Sequence, residues 1–214
     1  MNKKLLIVVA LAALVSGGAF AQLTFGVTGA LHMDQQLSAS EIASDFKSGD
    51  NIYYGGFIEI IGKHIGLGFS MNYSPATVVG APIDLNNWDD NLYLSYHFFG
   101  GRAFLDPFFE FGLGAFYLDY VNASDRPKDA QTGELIGTSP ISASPYWFGA
   151  FGLGLNFGPI GLFGKFAFNG VIQSHWFGND IPYYGTYSQD ANGDWVVTPY
   201  VPQYRVSFGV KLIL

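Results

Sequence analysis

Cysteine does not occur in these 214 residues. That excludes disulfide staples and a lipidated N-terminal cysteine. Charged side chains are scarce at 13 %, against about 25 % in ordinary soluble domains. Basic ones are scarcer still, with 10 Lys and Arg against 17 Asp and Glu. Nucleic-acid binding needs a basic footprint, and this balance excludes it. Long apolar runs are missing too: nowhere is there a stretch of ~18 apolar residues that would mark a membrane-spanning helix. Aromatic side chains, by contrast, make up 17 % of the chain, and there are 28 glycines. A chain this apolar without a membrane helix needs another use for its greasy surface. In lipid every backbone N–H and C=O must be paired, so the remaining spanning structure is a closed β-barrel.

The N-terminus reads as a targeting segment. Lys3 and Lys4 precede a short apolar run, Leu5 to Val15, and Ala19-Phe20-Ala21 has the small-residue pattern of a cleavage site before Gln22. The run is too short to span a bilayer as a helix, which takes ~20 residues. Residues 1–21 are therefore expected to be a cleaved signal peptide and 22–214 the mature domain. Loss of Lys3 and Lys4 takes the net charge from −7 to −9.

Within the mature chain, apolar side chains recur at every second position. In Ile65-Gly66-Leu67-Gly68-Phe69-Ser70-Met71-Asn72-Tyr73 the odd positions are large and apolar and the even ones small or polar. Successive side chains of a strand point to opposite faces, so this segment has one greasy face and one small or polar face. Eight such segments are expected: 23–33, 52–61, 65–73, 91–99, 108–120, 146–157, 160–172 and 201–214. Most exceed the ~9–11 residues that a tilted strand needs to cross a bilayer. Gly62-Lys63-His64, Gly100-Gly101-Arg102 and Gly158-Pro159 mark short turns. The connections 34–51, 74–90, 121–145 and 173–200 are long. Alternately short and long connections predict an all-β, eight-stranded antiparallel up-and-down transmembrane barrel, with both termini on the short-turn, periplasmic side. The long connections hold most of the acidic residues, including Glu41, Asp45, Asp84, Asp89, Asp90, Asp180 and Asp190, so the outer rim is expected to be acidic.

A soluble barrel with the apolar face inward is the structural rival. Volume argues against it, because the interior of an eight-stranded barrel is just wide enough for side chains or one small ligand. The apolar faces carry far more large side chains than that space admits. Gly66, Gly68, Gly112, Gly114, Gly152, Gly154 and Gly209 lie on the opposite face and suit a narrow lumen.

Two segments carry a family resemblance. Asp106-Pro107-Phe108-Phe109-Glu110-Phe111-Gly112-Leu113-Gly114-Ala115 resembles the Pro-aromatic-x-x-Gly-x-Gly opening of an ascending strand in the small eight-stranded outer-membrane proteins of the OmpA-transmembrane, OmpX and OmpW/OprG type. The alternating segment Tyr204–Leu214 resembles their C-terminal insertion signal, although that signal usually ends in Phe and this one ends in Leu214. The resemblance implies residence in the bacterial outer membrane, lipid as the surrounding partner, and contact with barrel-assembly machinery during insertion. With Leu214 at the end of the sequence, the peptidoglycan-binding domain of full-length OmpA is not expected.

Chemistry is confined to the lumen face. Glu59, Glu110, Lys165, Arg205 and Lys211 all fall on it. The expected topology brings Glu59, Glu110, Lys165 and Lys211, with His97 and Asn156, together in the lower lumen. Two acids and two bases in a narrow interior should pair, because an unpaired buried charge is costly. Such a cluster is either a structural plug or a gated ion path. Higher up, Tyr53, Phe57, Phe116, Leu118, Tyr146, Phe148 and Val171 are expected to point inward. A mostly apolar pocket is the usual form of a small-ligand site, and the OmpW resemblance implies passage of small apolar solutes; simple packing of a filled barrel explains the same residues.

Other motifs carry little. Asp190-Ala191-Asn192-Gly193-Asp194 spaces its acids like a calcium loop but lacks the Gly placement and terminal Glu of an EF-hand. Its Asn-Gly predicts a hairpin that extends the flanking strands beyond the membrane. Asn122-Ala123-Ser124 fits a glycosylation sequon without informing a bacterial-type chain. Ser174 and His175 lack a third group for nucleophilic catalysis, so no enzymatic activity, cofactor or metal is expected. Tyr183, Tyr184, Tyr187, Trp195 and Tyr200 make the last long connection aromatic, as an interfacial girdle or a surface for an extracellular partner. Two functions stay open: passage or binding of small apolar solutes, and a structural or adhesive role carried by acidic, aromatic loops.

Overall fold

The computed structural model describes residues 22–33, 52–77, 84–120, 141–172, 185–189, 195–199 and 201–214. The signal segment, most of the long connections, Asn122, Ser174, His175 and the 190–194 turn lie outside the described residues. Among the described residues ten strands follow one another: β1 (Gln22–Met33), β2 (Ile52–Ile61), β3 (Ile65–Thr77), β4 (Asp84–His97), β5 (Leu105–Tyr120), β6 (Ile141–Phe157), β7 (Ile160–Val171), β8 (Gly185–Gln189), β9 (Trp195–Pro199) and β10 (Tyr204–Ile213). Eight close into a barrel in the order β1-β10-β7-β6-β5-β4-β3-β2. Every pairing is antiparallel, and β1 shuts the ring against β10 from Thr24↔Ile213 to Met33↔Tyr204. The fold class expected from the period-2 pattern is the one observed.

Two differences from the sequence reading bear on the site. First, β4 begins at Asp84 rather than at Asn91, and β3 and β6 run past their expected upper ends. Asp84, Asp89 and Asp90 are therefore strand residues and not part of a loop rim. The pairing Thr77↔Asp84 through Asn72↔Asp89 holds them there: the backbone ladder continues where the hydrophobic alternation has already stopped. Second, β8 and β9 form the expected hairpin, with Gln189 opposite Trp195. They make a separate two-stranded sheet and do not prolong the barrel ladder.

The two faces of the wall differ as the alternation requires. Val27, Tyr54, Ile65, Leu92, Phe111, Phe151, Ile160 and Phe208 are exposed on the outside, at up to 66 % for Val27. On β1 the outward face is covered from Leu31 upward, with Leu31 and Met33 both buried. Inside lie Thr24, Glu59, Asn72, Asp89, Asn91, Ser95, His97, Asp106, Glu110, Arg205, Ser207 and Lys211, all buried. A polar interior and an apolar exterior invert the arrangement of a water-soluble barrel. The Gly158-Pro159 turn joins β6 to β7 with Gly158 at φ +68°. A glycine with positive φ at the first central position is what a tight II′-like hairpin needs.

Candidate functional site: a layered lumen

The lumen is filled in three layers. The lowest is made by the turn between β4 and β5, residues 98–104, which folds beneath the barrel. Asn156 Nδ2 donates to the carbonyls of Gly101 (3.0 Å) and Ala103 (2.7 Å), and Gln22 Nε2 to that of Gly101 (3.4 Å). Gly101 fits there because it has no side chain; a Cβ would press on Ile61 Cδ1, 2.7 Å away. Gly100 enters the turn at φ +74°. Arg102 ties the turn to the chain end through the Leu214 carbonyl at 2.9 Å.

Above the turn lies the ionic layer. His97 bridges two carboxylates, with Nδ1 2.8 Å from Asp106 Oδ2 and Nε2 3.3 Å from Glu59 Oε1. The Ser95 hydroxyl donates to Glu59. Lys211 Nζ reaches Asp106 Oδ2 at 3.5 Å. Lys165 Nζ donates to both oxygens of Glu110 at 2.7 and 3.0 Å and lies 5.2 Å from the centre of the Tyr93 ring. All five charges expected on the lumen face, Glu59, Glu110, Lys165, Arg205 and Lys211, line one cavity of about 30 Å³. That is room for very little beyond water.

The uppermost layer is aromatic around a buried ion pair. Arg205 Nη1 lies 2.7 Å from Asp89 Oδ2 and 3.1 Å from Asn91 Oδ1. The Tyr146 hydroxyl donates to Asp89, and Asn91 Nδ2 donates to Asp89 Oδ1 at 3.2 Å. His32 Nε2 approaches the same carboxylate at 3.4 Å, and its ring stacks on Tyr53 with centroids 3.9 Å apart. Phe116 stacks on Tyr146 at 4.9 Å, and Arg205 lies 5.1 Å above the Phe148 ring. Val201 completes this cluster. Charge-assisted hydrogen bonds and cation–π contact in a desolvated interior make such a layer rigid when every member is satisfied.

Most of the expected aromatic pocket is thus brought together, but as packed side chains. Phe116, Tyr146 and Phe148 share one buried cluster, and Tyr53 packs edge-on against Phe116. Phe57 belongs elsewhere: it packs edge-on against Phe163 at 5.3 Å and lines the ionic cavity. Val171 shares the lumen parity, yet at the last position of β7 it is 37 % exposed. The Leu118 side chain lies outside the described residues. The lower charges pair differently from the simplest expectation. Glu110 takes Lys165, whereas Glu59 takes His97 and Lys211 takes Asp106. The sequence reading places none of Asp106, Asn91 and His32 in the lumen, and it puts Asp89 at the acidic rim. Extending the alternation of β5 down to Asp106 and of β4 up to Asp89 would have placed both acids inward.

The architecture is a closed eight-stranded antiparallel β-barrel with a polar interior and an apolar exterior. No known protein family matches the sequence, and no curated protein does. Among solved structures, the chain is similar to the N-terminal β-barrel domain of Pseudomonas aeruginosa OprF, with 12 % identity, 90 % of this chain and 97 % of that one covered, and a TM-score of 0.46. It is similar to Neisserial surface protein A at 11 % identity, 90 % and 96 % coverage and a TM-score of 0.44. It is likewise similar to Ail, the attachment invasion locus protein of Yersinia pestis solved with the heparin analogue sucrose octasulfate, at 10 % identity, 91 % and 97 % coverage and a TM-score of 0.46.

Proposed function

We propose that this chain is an integral bacterial outer-membrane protein whose barrel is a closed anchor and whose work is done by the segments held at the outer end. The apolar exterior supports the membrane reading. Burying that surface in lipid is favourable at roughly 25 cal/mol per Å², and the closed ring leaves no unpaired strand edge in the bilayer. Export behind residues 1–21, and reading of the β10 alternation by assembly machinery, belong to the same proposal.

The observation that carries the anchor reading is closure of the lumen at three levels: the 98–104 turn held by Asn156, the ionic layer around His97, and the aromatic layer around Arg205 and Asp89. A solute would have to displace all three. That leaves the connecting segments as the surface available to an extracellular partner, in a structural or adhesive role. Passage or binding of small solutes is the second reading, favoured by the charge-lined cavity between the layers.

Conductance of the full refolded chain in planar bilayers, together with solute-driven liposome swelling, tests the proposal. Silence in both assays is the expected result. A steady conductance, or swelling with a small apolar or charged solute, would overturn the anchor reading in favour of transport.

A further inference from the structure

Asp90 is out of place on the outer wall. On β4 the side chains of Trp88, Asp90, Leu92, Leu94 and Tyr96 share the outward face, while Asp89 and Asn91 turn into the lumen. Asp90 sits opposite Met71 on one side and Ala115 on the other. The Ala115 methyl group is too short to fill the space beside it. A depression of about 300 Å³ opens there, lined by Phe69, Asp90, Leu92, Leu113, Ala115 and Tyr117. Among the described residues no lysine, arginine or histidine lines it. Asp90 Oδ1 is buried and has no hydrogen-bond partner among the described residues.

An unpartnered carboxylate oxygen in apolar surroundings is costly, and ionisable groups at lipid-facing positions are rare and tend to be functional. The cost falls if a cation in the depression neutralises the carboxylate, whose half-buried side chain lines it. Level matters as well. Tyr73 and Trp88 pack 4.7 Å apart just above, and Tyr117 lies beside the notch. Such amphipathic rings sit where headgroups meet acyl chains. A ligand suited to this place has an ammonium group at headgroup level and hydrocarbon directly below it.

We propose that the Asp90 depression binds an amine-bearing phospholipid, its ammonium donating to Asp90 and the first carbons of an acyl chain filling the notch between Leu92, Leu113 and Ala115. The site rests on the membrane reading above. A primary ammonium has N–H donors for Asp90 and a quaternary one has none, so a headgroup preference follows.

The test reconstitutes the full chain into vesicles of equal parts phosphatidylethanolamine and phosphatidylcholine with identical acyl chains. Vesicle flotation reports insertion, and native mass spectrometry after mild detergent extraction reports the retained lipid. Wild type should retain the ethanolamine lipid about tenfold over the choline lipid, the ratio expected for one charge-assisted hydrogen bond. D90N, which removes the charge, and A115L, which fills the notch, should both float and both lose the preference. Equal retention by wild type, or a preference unchanged in D90N, would overturn the lipid site while leaving the membrane reading intact. Failure to float would overturn both.

Discussion

Arg205 and Asp89 meet at 2.7 Å from opposite walls of the barrel. Arg205 is on β10 and Asp89 on β4, which stand half a turn apart in the ring. Both side chains are fully buried, and neither strand touches the other through backbone hydrogen bonds. The pair is therefore a strut across the lumen, independent of the ladder that closes the wall. Removing one partner leaves the other charge buried without compensation, at a cost of about 3–5 kcal/mol. D89N and R205M should each lower the unfolding free energy from detergent–urea titrations by that order. The double variant D89L/R205M should recover most of the loss, because apolar replacement of both partners removes the desolvation penalty. Equal losses in single and double variants would mean that the strut does not hold the walls together.

The lower layer makes a separate prediction. Asn156 provides one amide to two carbonyls of the 98–104 turn, and Asn156 N also donates to the Phe104 carbonyl at 2.8 Å. N156A keeps the backbone bond and deletes both side-chain bonds. Gly101 keeps the longer bond from Gln22 Nε2, but Ala103 is left short of a donor, at a cost of about 1–3 kcal/mol. The loss is local, so limited proteolysis within 98–104 should accelerate while the global midpoint moves little. Unchanged proteolysis would show that the backbone bonds alone hold the turn.

What the sequence shows of the fold depends on which period dominates a segment. All eight barrel strands could be read because Phe109, Phe111 and Leu113, or Val206, Phe208 and Val210, keep a strict two-residue spacing wherever one face meets an apolar environment. The signal fades where that environment ends. Asp84 to Asp90 carries almost no alternation, so the upper half of β4 reads as loop although its backbone pairs with β3. The same holds for the site, since Asp89 is the hub of the upper layer and lies in the stretch that reads as loop. Which charges share the lumen is a matter of parity, and parity was legible for Glu59, Glu110, Lys165, Arg205 and Lys211. Which of them touch is a matter of register between strands far apart in sequence, and single-chain alternation carries no register. Lys211 meets Asp106 for that reason, and not the glutamates on the same face.

Glycine and aromatic residues are matched across the wall. Gly114 lies opposite Tyr146, Gly68 opposite Tyr93 and Gly152 opposite Phe108. In each case a Cβ on the glycine would run into the partner's ring. The ring is thus laid over bare backbone of the neighbouring strand, the arrangement that rescues an otherwise weak glycine in a sheet. G114A should push Tyr146 off Asp89 and Phe116 at once. Overpacking of this kind costs about 1–3 kcal/mol. Loss of near-UV circular dichroism with the far-UV strand signal retained is the expected signature. G164A is the control, since the nearest atom to a Cβ there is the Ser207 carbonyl oxygen at 3.9 Å. Equal effects from both substitutions would show that glycine is needed for the backbone and not for the ring.

The outward face offers the sharpest discrimination between a lipid-facing barrel and one that faces water. Phe151 is 61 % exposed on β6, flanked by the Phe98 and Phe109 rings at 6.5 and 6.2 Å. On a water-facing wall, F151R would relieve an exposed apolar patch and be neutral or favourable. On a lipid-facing wall, an arginine near the bilayer midplane costs about 2–4 kcal/mol. Folding into vesicles measures the difference: the yield of heat-modifiable, protease-resistant F151R should fall well below that of wild type. The fall should lessen in thin detergent micelles, where the guanidinium reaches water. K63R, in the exposed turn between β2 and β3, should fold like wild type in both, because its charge never enters the apolar band. An F151R chain that refolds into vesicles as fully as wild type would place the belt in water and remove the physical basis for a membrane anchor.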